Sequence, residues 1–123
     1  MDIEGKRVRL DVLSLRRGDG GLVRMRFTLT NVSGQTFTVY DAIDLFGGRS
    51  LHARLLDPAG QKLYMPVTDS RGQCLCSPYP DEDIAAGGSS EFYVTLPPVP
   101  PSVKTVTVML WEFPVIDRVP LDS

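Results

Sequence analysis

Apolar and polar residues alternate with a period of two through most of this chain. In residues 6–15, Val8, Leu10 and Val12 fall on one face and Arg7, Arg9 and Asp11 on the other. That is the pattern of a half-buried strand, whose successive side chains point to opposite faces of a sheet. The apolar parity then shifts to Leu13 and Leu15. One inserted residue reverses every later side chain, so a β-bulge or a crossing between sheets is expected there. Gly18-Asp19-Gly20-Gly21 supplies the positive φ angles of a tight turn and predicts a hairpin or a sheet-changing corner. Residues 22–32 form the clearest strand, with Val23, Met25, Phe27 and Leu29 inward and Arg24, Arg26, Thr28 and Thr30 outward.

Phe37 and Val39, then Ile43 and Leu45, mark short strands before Gly47-Gly48. Leu51, Ala53 and Leu55 alternate with His52, Arg54 and Leu56. Asp57-Pro58-Ala59-Gly60 is turn chemistry, with Pro fixing φ and Gly supplying freedom, and a hairpin returning through Leu63 and Met65 is expected. From residue 68 to residue 90 the alternation stops, and Gly, Pro, Ser and acidic residues read as a long surface connection. Phe92, Val94 and Leu96 restart the pattern, five residues of the link 97–101 include four prolines, and Val106, Val108 and Leu110 alternate with Thr105, Thr107 and Met109. A last segment, 115–121, carries Pro120, which suits an edge strand because it has no N–H for a ladder. No apolar spacing sustains three helical turns. Seven to eight short strands with frequent turn signals predict an all-β fold, an immunoglobulin-like β-sandwich in preference to a closed barrel.

Composition narrows the picture. A chain of 123 residues fits one domain, expected over 1–123, and buries enough surface to fold without disulfides or a structural metal. The formal charge of −2, with both signs interspersed, removes the electrostatic case for nucleic acid as a partner. No apolar stretch is long enough to span a bilayer, and the N-terminal residues lack a signal-peptide pattern; a signal or anchor is expected to be absent from this chain.

Val23-Arg24-Met25-Arg26-Phe27-Thr28-Leu29-Thr30-Asn31-Val32-Ser33-Gly34, a strand closing in an Asn-x-Ser-Gly turn, resembles the second strand of bacterial extracytoplasmic immunoglobulin-like domains. Ile84-Ala85-Ala86-Gly87-Gly88-Ser89-Ser90 before Phe92-Tyr93-Val94 is similar to the turn that precedes a late strand in those domains. The segment from Val67-Thr68-Asp69-Ser70 through Gly72-Gln73-Cys74-Leu75-Cys76-Ser77 resembles the Cys-x-Cys-Ser loop of secreted or lipoprotein-associated actinobacterial domains. The matching segments are spread over residues 23–94, a span of rather more than half the chain. They imply a secreted or cell-envelope protein, and no catalytic residues carry over with them.

Cys74 and Cys76 are the most specific chemical feature. In an extended strand they would share a face, too far apart for a relaxed disulfide, so a bridge between them requires a turn. A disulfide, free thiols, a metal-thiolate site and intermolecular bridging all stay open. Further soft or imidazole ligands for a metal would be His52, Met65 and Met25, and one histidine is too few for a blue-copper set. His52 itself falls on an outward face. Asp81-Glu82-Asp83 with Asp41 or Asp44 offers oxygens for calcium, although a solvated loop is the ordinary reading. Asn31-Val32-Ser33 matches a glycosylation acceptor. Ser89 and Ser90 lack an elbow motif or an adjacent base, and no phosphate loop, dinucleotide fingerprint or zinc-protease helix occurs.

If the first two strands pair antiparallel, Arg7, Arg9, Arg24 and Arg26 share one face beside Thr28 and Thr30, and guanidinium forks match carboxylate and phosphate. Tyr64, Tyr79, Tyr93, Trp111 and Phe113 are the aromatic contact candidates, with core packing the competing role. These residues point to a noncatalytic extracytoplasmic binding or assembly module that needs no cofactor and contacts a protein or an anionic envelope polymer. The alternatives are a small metal-handling protein using Cys74, Cys76, His52 and Met65, and a structural accessory domain of a larger chain.

Overall fold

The computed structural model describes residues 2–3, 6–38, 53–68, 70–71, 83–110 and 113–122. Ten strands and one 3₁₀ turn lie among them. β1 is Asp2–Ile3, β2 Lys6–Arg17, β3 Val23–Asn31, β4 Phe37–Thr38, β5 Ala53–Asp57, β6 Lys62–Tyr64, β7 Asp83–Ile84, β8 Ser89–Leu96, β9 Thr105–Leu110 and β10 Ile116–Pro120. Among the described residues the chain is mostly β, with no α-helix, as the alternation predicts. Two four-stranded sheets have the orders β1-β2-β3-β8 and β10-β9-β5-β6, and β4 pairs with β7 as a separate ribbon. Every pairing between these strands is antiparallel.

The inward residues of both sheets meet in one hydrophobic cluster. Val23, Met25, Phe27 and Leu29 come from β3, Phe92, Val94 and Leu96 from β8, Ala53 and Leu55 from β5, and Val106, Val108 and Leu110 from β9. Phe27 stacks on Phe92 with ring centroids 5.5 Å apart. Each large side chain fully removed from water here contributes about 1.5–3 kcal/mol. The ribbon seals one end of the cluster through Phe37 and Ile84, which pair directly. At the other edge, Arg17 N donates to Asp122 O and Asp122 N to Leu15 O, both at 2.9 Å. The residue two beyond β10 of the second sheet therefore runs parallel beside β2 of the first.

The parity shift in the first long strand is a bulge. Val12 pairs with Phe27 and Ser14 with Arg26, so Leu13 has no partner of its own on β3. Leu15 then enters the core, whereas Leu13 is exposed; the expectation that both leucines turn inward holds for Leu15 alone, because Leu13 is the extra residue. The β2–β3 turn is a 3₁₀ turn over Asp19–Gly21 with Gly20 and Gly21 at positive φ.

Two further expectations change. The return strand of the β5–β6 hairpin buries Tyr64 and exposes Leu63 and Met65, because Leu55, an inward residue, pairs with Tyr64. The stretch from 68 to 90 is not strand-free: Asp83–Ile84 forms β7 and Ser89 opens β8. β7 spans two residues and lies among Gly, Pro and acidic positions, too little alternation to be read from sequence. Pro120 ends β10, an edge strand, as expected.

Candidate functional site

The outer face of the first sheet is built in four cross-strand rows over β2, β3 and β8. They are Arg9-Thr30-Ser89, Asp11-Thr28-Glu91, Ser14-Arg26-Tyr93 and Arg16-Arg24-Thr95. Residues opposite one another on a sheet have side chains within contact range, so the rows determine which charges meet. Arg7 lies beyond the first row on β2, opposite Asp2 of β1. The four arginines expected to share a face, Arg7, Arg9, Arg24 and Arg26, are all exposed and do share it, but not as a continuous stripe.

Acids break the stripe. Arg9 Nε donates to Asp11 Oδ2 on its own strand at 2.9 Å. Arg26 Nε donates to Glu91 Oε1, one row away on β8, at 2.6 Å. Both pairs are exposed and add little stability, since water screens them; their consequence is to neutralise the middle of the face. Arg24 makes the same diagonal step toward β8 but meets Tyr93, with its guanidinium carbon 4.6 Å from the ring centroid. Arg16 and Arg24 thus stand opposite each other at the turn end of the sheet, and neither has an ion-pair partner among the described residues. With Gly18, Asp19, Leu22 and Thr95 they line an open hollow of about 380 Å³.

Arg16 is the residue that sequence reasoning missed. Counted by strict alternation it belongs to the face opposite Arg7 and Arg9. The bulge at Leu13 moves it to theirs. The signal was present in the shift from Val12 to Leu15, which carries every later residue of β2 across the sheet. Glu91 and Tyr93 could be found only once β8 was known to lie beside β3.

Arg17 points to the other side and has a structural task. Its guanidinium donates to the carbonyl oxygens of Val99 at 3.3 Å, Pro100 at 2.7 Å and Val103 at 2.9 Å. It thereby pins the proline-rich link to the end of β2. Proline supplies no N–H, so such a link depends on external donors to hold its carbonyls.

Several other candidates are placed differently from their expected roles. Asn31 is fully buried; its Nδ2 donates to Gln35 O at 2.6 Å and Ile84 O at 2.8 Å, which removes it as a glycosylation acceptor in the folded chain. Tyr64 and Phe113 are buried in the core, so they are packing residues, not contact anchors. Met25 is fully buried, and Met65 is exposed just beyond β6. Ser89 and Ser90 lie in the β8 ladder opposite Thr30 and Leu29. Asp83 belongs to β7. His52, Cys74, Cys76, Tyr79 and Trp111 lie outside the described residues, as do Asp41, Asp44, Asp81 and Glu82. Among the described residues, no three His, Cys, Asp or Glu side chains converge as a metal site, and no helix is long and apolar enough to cross a membrane.

The chain matches no protein-family model, no curated protein and no solved structure.

Proposed function

We propose that this chain is an immunoglobulin-like β-sandwich acting outside the cytoplasm as a noncatalytic binding or assembly module, which presents the outer face of β2, β3 and β8 to a protein or an anionic envelope polymer. The strand order supports the sandwich reading. With β2, β3 and β8 as strands A, B and E, and β5, β6, β9 and β10 as C, C′, F and G, the two sheets become A-B-E, with the two-residue β1 added beside A, and C′-C-F-G. That division follows the immunoglobulin plan. In antibody domains a disulfide joins strands B and F; here Met25 and Phe27 of β3 and Val106 and Val108 of β9 contribute apolar side chains to the common core instead.

The observation that carries the binding role is the outer face itself, where Arg7, Arg9, Arg16, Arg24 and Arg26 are all exposed on one side of a sheet. Guanidinium groups on a rigid sheet lose little freedom on meeting a carboxylate or phosphate, which favours recognition. Co-sedimentation of the purified protein with an envelope fraction of its source organism tests the reading, at low and high salt. Binding that falls several-fold with salt and in the Arg24→Ser, Arg26→Ser double variant is expected. Unchanged sedimentation of that variant would sink the proposed face.

A further inference from the structure

We infer that the hollow at the turn end of the first sheet is a carboxylate-binding site in which Arg16 and Arg24 together receive one acidic group of the partner. The inference deepens the binding-module reading and rests on it. It starts from an arrangement that stability alone does not favour: Arg16 and Arg24 are directly opposite on neighbouring strands, where like charges repel. Elsewhere on this face the structure answers each arginine of a row with an acid. Arg9 has Asp11 and Arg26 has Glu91. At the diagonal position where Arg24 would find its acid stands Tyr93, whose ring lies against the guanidinium. Stacking of this kind holds the group in place and leaves its in-plane N–H donors for another acceptor.

The Arg26–Glu91 pair shows the geometry that a ligand would complete. A carboxylate on this face, reached diagonally from β8, accepts from Nε of an arginine of β3. In the last row, Thr95 is the β8 residue opposite Arg24, and a side chain of the partner would have to bring the missing carboxylate. The open hollow of about 380 Å³ has room for it. The ionised residues lining the hollow are Arg16, Arg17, Arg24 and, on the turn, Asp19. The Arg17 guanidinium is turned to the carbonyls of Val99, Pro100 and Val103, so Arg16 and Arg24 are the lining donors left for an anion, and on this same face the acceptor that an arginine takes is a carboxylate, Asp11 for Arg9 and Glu91 for Arg26. The chemical class is therefore a monoanionic carboxylate, such as a glutamate or aspartate side chain of an acidic segment.

Titration of the labelled protein with hexaglutamate, followed by amide NMR shifts, tests the site. Saturable shifts centred on Arg16, Arg24 and Thr95 are expected, with affinity reduced at least tenfold in Arg16→Ser and in Arg24→Ser and less than twofold in Arg9→Ser. Since Arg16 makes no stabilising contact across its row, Arg16→Ser is also expected to melt no lower than the wild type, which separates loss of binding from loss of fold. Equal weakening by all three variants would overturn the site and leave only general attraction to the basic face. Tighter binding of inorganic phosphate than of hexaglutamate would overturn the carboxylate assignment. Absence of saturable shifts, with envelope co-sedimentation still lost in the Arg24→Ser, Arg26→Ser variant, would overturn the site while keeping the binding-module reading. Absence of both would remove that reading as well.

Discussion

The side-chain amide of Asn31, the last residue of β3, donates to the backbone carbonyl of Ile84, 53 positions further along the chain, at 2.8 Å. The same amide donates to Gln35 O, and Asn31 Oδ1 accepts from Ser33 N at 3.0 Å and Ser33 Oγ at 2.6 Å. Two donors and two acceptor sites are all that an asparagine side chain has, so the group is satisfied in full. Its backbone is equally engaged, donating to Gly88 O and accepting from Gly87 N. Asn31 thereby fastens the first sheet to the ribbon strand β7 and to the turn leading into β8.

Replacing Asn31 with Ala leaves Ile84 O and Ser33 with lost partners in a buried setting. A loss of about 2–4 kcal/mol is expected, since each stranded polar group costs about 1–3 kcal/mol. Urea unfolding of the variant against the wild type measures it, and a change below half a kilocalorie would show that water replaces these bonds. Asn31→Asp tests the same hub more narrowly, because it removes both Nδ2 donors while keeping the acceptor, and it too should unfold at lower urea.

Leu13 and Leu15 are two residues apart and sit on opposite sides of the energy balance. Leu15→Ala removes a side chain that is 1% exposed, and a cost of about 2–5 kcal/mol is expected. Leu13→Ser alters a bulge residue that is 49% exposed, where substitutions usually move stability by no more than about 0.5 kcal/mol. Equal losses would place the bulge elsewhere.

Arg17→Ala releases the carbonyls of Val99 and Pro100 in the proline link and of Val103 just beyond it. We expect a loss of about 1–3 kcal/mol from the charged donor together with faster proteolysis within residues 97–103. Arg17→Lys should recover only part of it, as an ammonium lacks the planar fork that spans three acceptors. Cleavage at an unchanged rate in Arg17→Ala would mean that the link is held by its own packing.

Gly87 has φ of 80° and open space where a Cβ would stand. Gly87→Ala therefore meets backbone strain without a clash, and about 1–2 kcal/mol is the cost expected for an L-residue in the left-handed region. A thermal midpoint equal to that of the wild type would require the turn to have relaxed away from the Gly87 N to Asn31 O bond.

Alternation made much of the fold legible. Val23 to Leu29, Phe92 to Leu96 and Val106 to Leu110 were readable as buried faces, because a strand with one wet side must repeat every second residue. The β2–β3 hairpin was readable from Gly18-Asp19-Gly20-Gly21, and the β5–β6 hairpin from Asp57-Pro58-Ala59-Gly60. The face of β6 was not, since Lys62–Tyr64 spans three residues and the match of Tyr64 to Leu55 is a property of the hairpin register. Of the two ribbon strands, β4 was legible from Phe37, whereas β7, the two residues Asp83–Ile84, was not, for the same reason of length.

The basic face divides along the same line. That Arg7, Arg9, Arg24 and Arg26 point outward followed from the residues beside them, and the bulge after Val12 was visible in a change of parity. Which arginines are neutralised was decided by the tertiary structure, because Glu91 and Tyr93 reach β3 from 65 and more residues away through a register that only the packed sheets set. Local pattern determines the side of a strand on which a residue lies, since that depends on its own neighbours and their need for water or core. Charge partnership depends on which strands come to lie together, and the burial of both sheets against one shared core is what selects them.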